Sequence, residues 1–528
     1  MFLKNTLKFY KLLIFLIFLS FINSSCSRSN NSQKISLASS GKIESLDPAR
    51  INTIKALQII SSLGDTLYEF SNEGQLVPKL ASDMPIFSED KLTIHINLRE
   101  DVFFHDGTKF DSNAMKFTIN RFKKIGTTNY ILGNKIKSIE TPSKYKLIIK
   151  LNKPSSSIEG LLTSLNLTPL SPEFYKDFND KFLNDEFVGT GKYILKKFSN
   201  DIQILEPNIK YWGRSPINDG INIIGYSNSN SLYGALKSKQ VDVLLSNSID
   251  DSQRYKLRSL SENQKIKEGR SAPNEISFIS LRTNKKPFNN LNIRRAIAKS
   301  LNRELISKKV SYGLREPAKS IVPSKFKKDI IVSWPSYNIN EAKNLLRGEG
   351  FCDGKILKFP LTYRSNVPTD KLVALAWQQD INSSMEDCIS MEIYGVESTT
   401  IYKNLSEGIY TAVILDWIGA YSDPEAYLKP LLSCDKFEKN ICIEGQSVFS
   451  GSFWASKDVE ALFLGSDSNY GMDRLNKLIK IEQIASESIP YIPIWISSQK
   501  AWSQKNISMP VFNGGGQIIM SELRHIDE

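Results

Sequence analysis

The run from Gly74 to Phe122, GQLVPKLASDMPIFSEDKLTIHINLREDVFFHDGTKFDSNAMKFTINRF, constrains this chain more than any other stretch. It reads as a turn, a strand, a second turn and a helix. Leu92, Ile94, Ile96 and Leu98 alternate with Thr93, His95, Asn97 and Arg99, and a period of two marks a half-buried strand. Asp106-Gly107 is a turn signal, because glycine tolerates the positive φ such turns need. Asp111 or Ser112 can cap a helix whose stripe runs through Ala114, Phe117, Thr118, Arg121 and Phe122. This module fixes a local α/β unit and by itself indicates no function.

The N-terminus carries a different signal. Lys4, Lys8 and Lys11 accompany an apolar run, Leu12 to Ile22, too short to span a bilayer comfortably. That order predicts a secretory signal over 1–25. Ser24-Ser25-Cys26 closes it as a lipoprotein signal does, with Cys26 becoming the diacylated first residue. Asn23 stands where such signals carry an aliphatic residue, so ordinary cleavage with a spare thiol is the other reading. Residues 26–34 read as a polar tether. No second long apolar segment follows, and none is expected to span a membrane.

A mature chain of roughly 500 residues predicts two or three lobes around separate cores. The formal net charge is +12. Lys and Arg are nevertheless scattered singly rather than set in a stripe among aromatics, which argues against a nucleic-acid partner. With Cys26 set aside, Cys352, Cys388, Cys434 and Cys442 form an even set, as disulfides in an exported chain do. Cys434 and Cys442 bracket a polar loop and can close a short hairpin, leaving Cys352 with Cys388; three pairings are formally possible. A zinc site fits poorly, since the spacing is wrong and no histidine is near.

The remaining elements are read from periodicity and caps. Ile35 to Leu46 is a strand entering an Asp47-Pro48 turn, and Ile54 to Phe70 an amphipathic helix. Ile136 to Leu151 is a hairpin, and residues 188–213 are a turn followed by two strands. Ile276 to Leu281 is a strand leading into a helix with Ile293, Ala296, Ile297 and Leu301 as its stripe. Asn302 starts the next helix, and Asn338 with Glu341 reads as a capping box. A helix from Met472 to Ser488 and an extended segment from Pro490 to Trp495 close the chain.

Catalytic constellations are nearly absent. His95, His105 and His525 have no nucleophile in a recognisable motif beside them, and Asp250-Asp251 reads as a solvated pair. Gly189-Thr190-Gly191-Lys192 lacks the spacing of a phosphate loop and precedes a strand. The better candidate is Leu415-Asp416-Trp417-Ile418-Gly419-Ala420-Tyr421-Ser422-Asp423-Pro424. A short apolar strand delivers Trp417 and Tyr421 into a Gly/Pro-bounded loop, either as core anchors or as aromatic walls of a ligand site.

The words LVPKLASD, LTIHINLRE and FFHDGTKFDSNAMKFTINRF occur in the order and spacing of a known family. So do Gly189 to Tyr193, Asn208 to Gly213 and PFNNLNIRRAIAKSLNRELI. The chain resembles the extracytoplasmic solute-binding proteins of family 5, which serve peptide, opine and nickel importers of the ABC type. The resemblance runs from about Ile35 to Trp502. It implies an α/β fold of the two-lobed periplasmic-binding-protein type (class II, cluster C), with an extra domain inserted in the first lobe. It implies that residues 35–70, 189–270 and 495–528 form lobe I, 71–188 the insert, and 271–494 lobe II.

The resemblance also implies a site and a role. Asp416, Trp417 and Ile418 line the cleft and pair with a peptide backbone, and Lys42, Ile43 and Glu44 supply the facing edge. Peptide-binding members carry an Asp three residues after the Trp, to meet the ligand's amine; this chain has Ala420. A buried ammonium without a counter-charge costs several kcal/mol, so Asp416, Asp423 or Glu44 would have to serve. A nickel-type ligand is disfavoured, because no histidine is near. The expected protein is a monomeric, lipid-anchored receptor on the periplasmic side of the cytoplasmic membrane. It would capture an oligopeptide between its lobes and deliver it to a permease whose ATPase is a separate subunit. No cofactor, no metal and no catalysis are expected. An envelope interaction or chaperone-like lipoprotein on the same scaffold is the alternative, and a hydrolase is a third reading that the missing nucleophile opposes.

Overall fold

In the computed structural model, residues 34–526 are described apart from 41–42, 52, 72–74, 130–131, 133–134, 246–248, 327–331, 333 and 420. The expected signal peptide, Cys26, Lys42 and Ala420 lie outside the described residues.

Asp111 is the residue that caps the first signature helix, Ser112–Ile125; its carboxylate accepts the Asn113 and Ala114 N–H groups at 2.9 and 3.0 Å. The alternating strand is Thr93–Asn97, with Ile94 and Ile96 buried. It pairs antiparallel with Lys146–Leu151, which pairs with Ile136–Ser143. With Ile86–Phe87 these strands make a four-stranded sheet, on which the helix buries Ala114, Met115, Ile119 and Phe122.

Two larger sheets flank this unit. A seven-stranded sheet has the order Ile266–Arg270, Lys500–Gln504, Val243–Leu245, Ile35–Ser40, Ile221–Tyr226, Ile202–Pro207, Tyr193–Phe198. A six-stranded sheet has the order Glu316–Pro317, Tyr491–Ser497, Glu275–Leu281, Ala412–Ile418, Leu357–Arg364, Ile389–Val396. Each is covered by its own apolar clusters, so the chain has separate cores rather than one. The chain passes between the two sheets at 271–274 and again at 498–499. The crossings lie side by side: Ser271 N–H donates to Gln499 O at 2.9 Å, and Gln499 N–H to Ser271 Oγ at 3.0 Å. Two lobes joined by two adjacent strands of chain are the geometry of a hinge. The strand Tyr491–Ser497 lies wholly in the six-stranded lobe, so the second crossing falls beyond 495.

Several elements differ from the sequence expectation. The first strand ends at Ser40 rather than Leu46. The helix expected to reach Phe70 stops at Leu63, and Tyr68–Phe70 is a strand paired with Leu76–Pro78. The cause is tertiary. The Leu63 carbonyl accepts the Gly191 N–H at 2.9 Å, so the Gly-Thr-Gly turn abuts the helix end. A Cβ on Gly191 would lie 2.3 Å from the Leu63 carbonyl carbon, so only glycine fits there. Asp65 then gathers Thr190 Oγ1 at 3.0 Å, Tyr211 OH at 3.1 Å and Trp212 Nε1 at 3.2 Å. His105 belongs to the same junction: its Nδ1 accepts the Gly189 N–H at 3.4 Å, and Nε2 lies 3.1 Å from Gly191 O. Burial holds its pKa below the ordinary value.

Disulfides join Cys352 to Cys388 and Cys434 to Cys442, the second closing the hairpin of Lys436–Glu438 and Ile441–Glu444.

Candidate functional site

The strand Ala412–Ile418 is buried from Ala412 to Leu415 and half-exposed from Asp416 onward, so its end emerges from the core. On one side it pairs with Glu275–Leu281 along its whole length, down to Glu275 opposite Ile418. On the other it pairs with Leu357–Arg364 only at Ala412 and Val413. Beyond Val413 that edge has no strand partner among the described residues.

This strand end opens into a cavity of about 540 Å³ between the lobes. One wall is the helix Ile54–Leu63, which presents Ile54, Leu57 and Ser61 at helical spacing. The opposite wall is Asp416, Trp417, Ile418 and Tyr421; Asn274 and Glu275 form the hinge side, and Thr163 to Asn166 come from the four-stranded unit's flank. The volume lies within the range of about 300–1,000 Å³ usual for small-molecule sites.

Trp417 is held in place by its indole N–H, which donates to Ala426 O at 2.8 Å, at the start of the helix Glu425–Leu432. Tyr421 reaches across to the four-stranded unit. A Cβ on Gly160 would lie 2.9 Å from its ring, so glycine permits the approach.

The acids expected to meet an amine are mostly engaged. Asp416 pairs with Arg364 at 2.8 Å, and Arg364 also pairs with Asp370 at 2.7 Å. Asp423 receives both Arg474 Nη atoms at 2.8 Å and caps the Glu425 N–H at 2.8 Å. It borders a neighbouring part of the cleft, not this cavity. Ile43 is buried in the core of the seven-stranded lobe, and Glu44 is exposed, with Arg50 at 3.7 Å. Neither lines the cavity, so the described part of that segment offers it no facing edge.

Sequence reasoning missed Glu275 and Glu69. Glu69 pairs with Lys79 at 2.9 Å. Glu275 has no hydrogen-bond or ion-pair partner for its carboxylate among the described residues. Its signal, a lone acid opening an apolar strand, is indistinguishable from an ordinary strand end. Burial, then Asp416, pushes its proton affinity above the usual carboxylate range against the pull of Arg315, Arg254 and Arg364. No group of three or more metal-ligating side chains occurs among the described residues.

A hinged pair of lobes with an aromatic-walled cavity between them defines a solute-binding protein. The family model for bacterial extracellular solute-binding proteins, family 5, matches residues 75–439, and the chain belongs to that family. It is therefore an extracytoplasmic binding protein rather than an enzyme. It is 24% identical over 499 residues to di/tripeptide-binding protein 3 of Pseudomonas aeruginosa, covering 88% of this chain and 90% of that one. A dipeptide-binding protein of Pseudoalteromonas, solved with Met-Leu, superposes with a TM-score of 0.78 at 21% identity, over 93% of this chain and 100% of that one. NikA of Brucella suis, solved with Fe(III)-EDTA, gives a TM-score of 0.82 at 19% identity, over 93% and 99%. These likenesses carry the fold, and the fold is the two-lobed one with an inserted domain.

Proposed function

We propose that this protein is the receptor of an ABC importer, capturing peptide-class solutes in the cavity at Trp417 and delivering them to a membrane permease. The observation that carries the reading is the strand Ala412–Ile418, whose edge is open beyond Val413 among the described residues and whose end, Asp416 to Ile418, lines that cavity. Such an edge offers main-chain donors and acceptors to an extended peptide as an added strand, while side pockets sort its side chains. The di/tripeptide- and dipeptide-binding proteins among its relatives agree with it. Trp417 and Tyr421 are the walls. Residues 35–70, 189–270 and 498–528 are assigned to the first lobe, 71–188 to the insert and 271–497 to the second lobe.

Protein purified gently should carry a solute with at least one peptide bond, identified by mass spectrometry. Trp417→Ala should weaken that solute's binding by about 2 kcal/mol or more, as for a central aromatic anchor. A recovered solute without a peptide bond, or normal binding by Trp417→Ala, overturns the assignment.

Anchoring rests on Ser24-Ser25-Cys26. Cys26→Ser should move the protein from the membrane fraction into the soluble exported fraction. Unchanged membrane association rules Cys26 out as the anchor.

A further inference from the structure

On the hinge side of the cavity one acid stands outside the ion pairs. Three guanidiniums stand there. Arg254 and Arg315 pair with Asp251 at 3.2 and 3.1 Å, and Arg364 pairs with Asp370 at 2.7 Å and Asp416 at 2.8 Å. Three aspartates thus answer three arginines, and Glu275 is the fourth acid. It is half-buried, it lines the cavity, and none of the three arginines lies within ion-pair distance of it. Across the cavity the only described cation in the lining is Lys79, which Asp65 and Glu69 hold at 3.5 and 2.9 Å.

The backbone explains why Glu275 points its charge here. It is the first residue of the strand Glu275–Leu281, directly after the hinge crossing, and its register partners are Ile418 and Ser497. It therefore sits opposite Ile418, one residue from the Trp417 pairing, on the side of that strand away from its open edge. A carboxylate partly withdrawn from water without a partner is destabilised. That cost is offset when a cation enters.

We propose that Glu275 is the counter-charge for a cationic group of the solute, an ammonium or guanidinium seated beside Trp417. This rests on the reading of the cavity as the solute site. It assigns the specificity that position 420, an alanine in the sequence, cannot supply. The raised proton affinity of Glu275 agrees with a carboxyl awaiting a counter-charge. A solute bearing a positive charge gives Glu275 a partner; an N-acylated or acidic one leaves it unanswered.

The test is calorimetric titration of wild type and Glu275→Gln against three sets of probes. These are a panel of di- to pentapeptides, the same peptides N-acetylated, and small non-peptide amines and guanidines. Wild type should bind free-amine peptides at least tenfold more tightly than acetylated ones. Glu275→Gln should lose that preference while binding the acetylated peptides as wild type does. Amines that bind through Glu275 when no peptide binds would support Glu275 and overturn the peptide reading. Peptides that bind with equal preference in wild type and Glu275→Gln would overturn Glu275 and leave the peptide reading standing. Binding of no probe to either protein overturns both. Thermal unfolding of Glu275→Gln at or above the wild-type temperature verifies that the variant is folded, since the change removes an unpaired charge.

Discussion

Asp47→Ala is expected to destabilise the protein by about 3–5 kcal/mol, the usual consequence of stripping one partner from a buried ion pair. Asp47 is fully buried and Arg121 is 1% exposed. Arg121 Nη1 and Nη2 donate to the two Asp47 oxygens at 2.8 and 2.5 Å. Asp47 also accepts the Ala49 N–H and the Leu183 N–H, both at 2.9 Å, so its loss leaves two buried donors unanswered as well. Arg121 would retain the Phe178 and Lys181 carbonyls, each at 2.8 Å, and the Tyr175 ring, 5.7 Å away, with no carboxylate. Asp47 lies in the turn after the first strand, and Arg121 lies on the signature helix. The pair therefore fastens the four-stranded unit to the seven-stranded lobe. Urea denaturation followed by tryptophan fluorescence measures the loss; a change under about 1 kcal/mol would show that water or rearrangement compensates. The double variant Asp47→Leu/Arg121→Met should recover part of the loss, because an apolar pair of similar volume removes both desolvation penalties.

That pair also marks where the sequence stops being legible. Arg121 fell on the apolar stripe of a helix, and its position there was readable from spacing alone. Its partner, 74 positions earlier, was not, because nothing local connects a turn aspartate to a helix arginine. The same division holds at the cleft. The strand ending in Trp417 is a run of apolar residues followed by glycine and proline, so both the strand and its emergence into a loop were visible. Cys434 and Cys442 bracket a hairpin that local turn chemistry announces. Glu275 reaches the cavity only through the register that sets it opposite Ile418, and register between strands 143 positions apart leaves no local trace. The overlong helix from Ile54 failed for a related reason. Apolar spacing continues through Leu67 and Tyr68, but the turn at 189–191 occupies the place of the next helical turn.

Arg474→Gln is expected to cost about 3–5 kcal/mol and to loosen the closed arrangement of the cleft. Arg474 is 11% exposed and binds Asp423 through both Nη atoms and Glu425 at 3.0 Å. Its Nε donates to Ser156 Oγ in the segment that follows the four-stranded sheet. Lys135 reaches Glu425 from the same unit at 3.8 Å, and Ser156 N–H donates to Asp467 O at 3.1 Å. The network therefore joins the six-stranded lobe to the unit across the cleft. Burial pushes the Glu425 carboxyl up, but Lys429, Lys135 and Arg474 together outweigh it and hold it down at about 2. A carboxyl depressed from 4.5 in this way contributes stability that is complete above about pH 4.5 and is lost as pH falls toward 2. Arg474→Gln removes one of those three cations, so the variant's acid transition should begin at higher pH than that of wild type. Ser156→Ala isolates closure from stability. It deletes the Ser156 Oγ bonds to Arg474 and to Ser466 O, leaving the Lys135 and Ser156 N–H contacts and the pairing of Arg474, Asp423 and Glu425, so it should cost only about 1 kcal/mol. Small-angle scattering of solute-free protein should give a larger radius of gyration for both variants than for wild type. Equal radii for all three would mean that the hinge, not this network, sets the angle between the lobes.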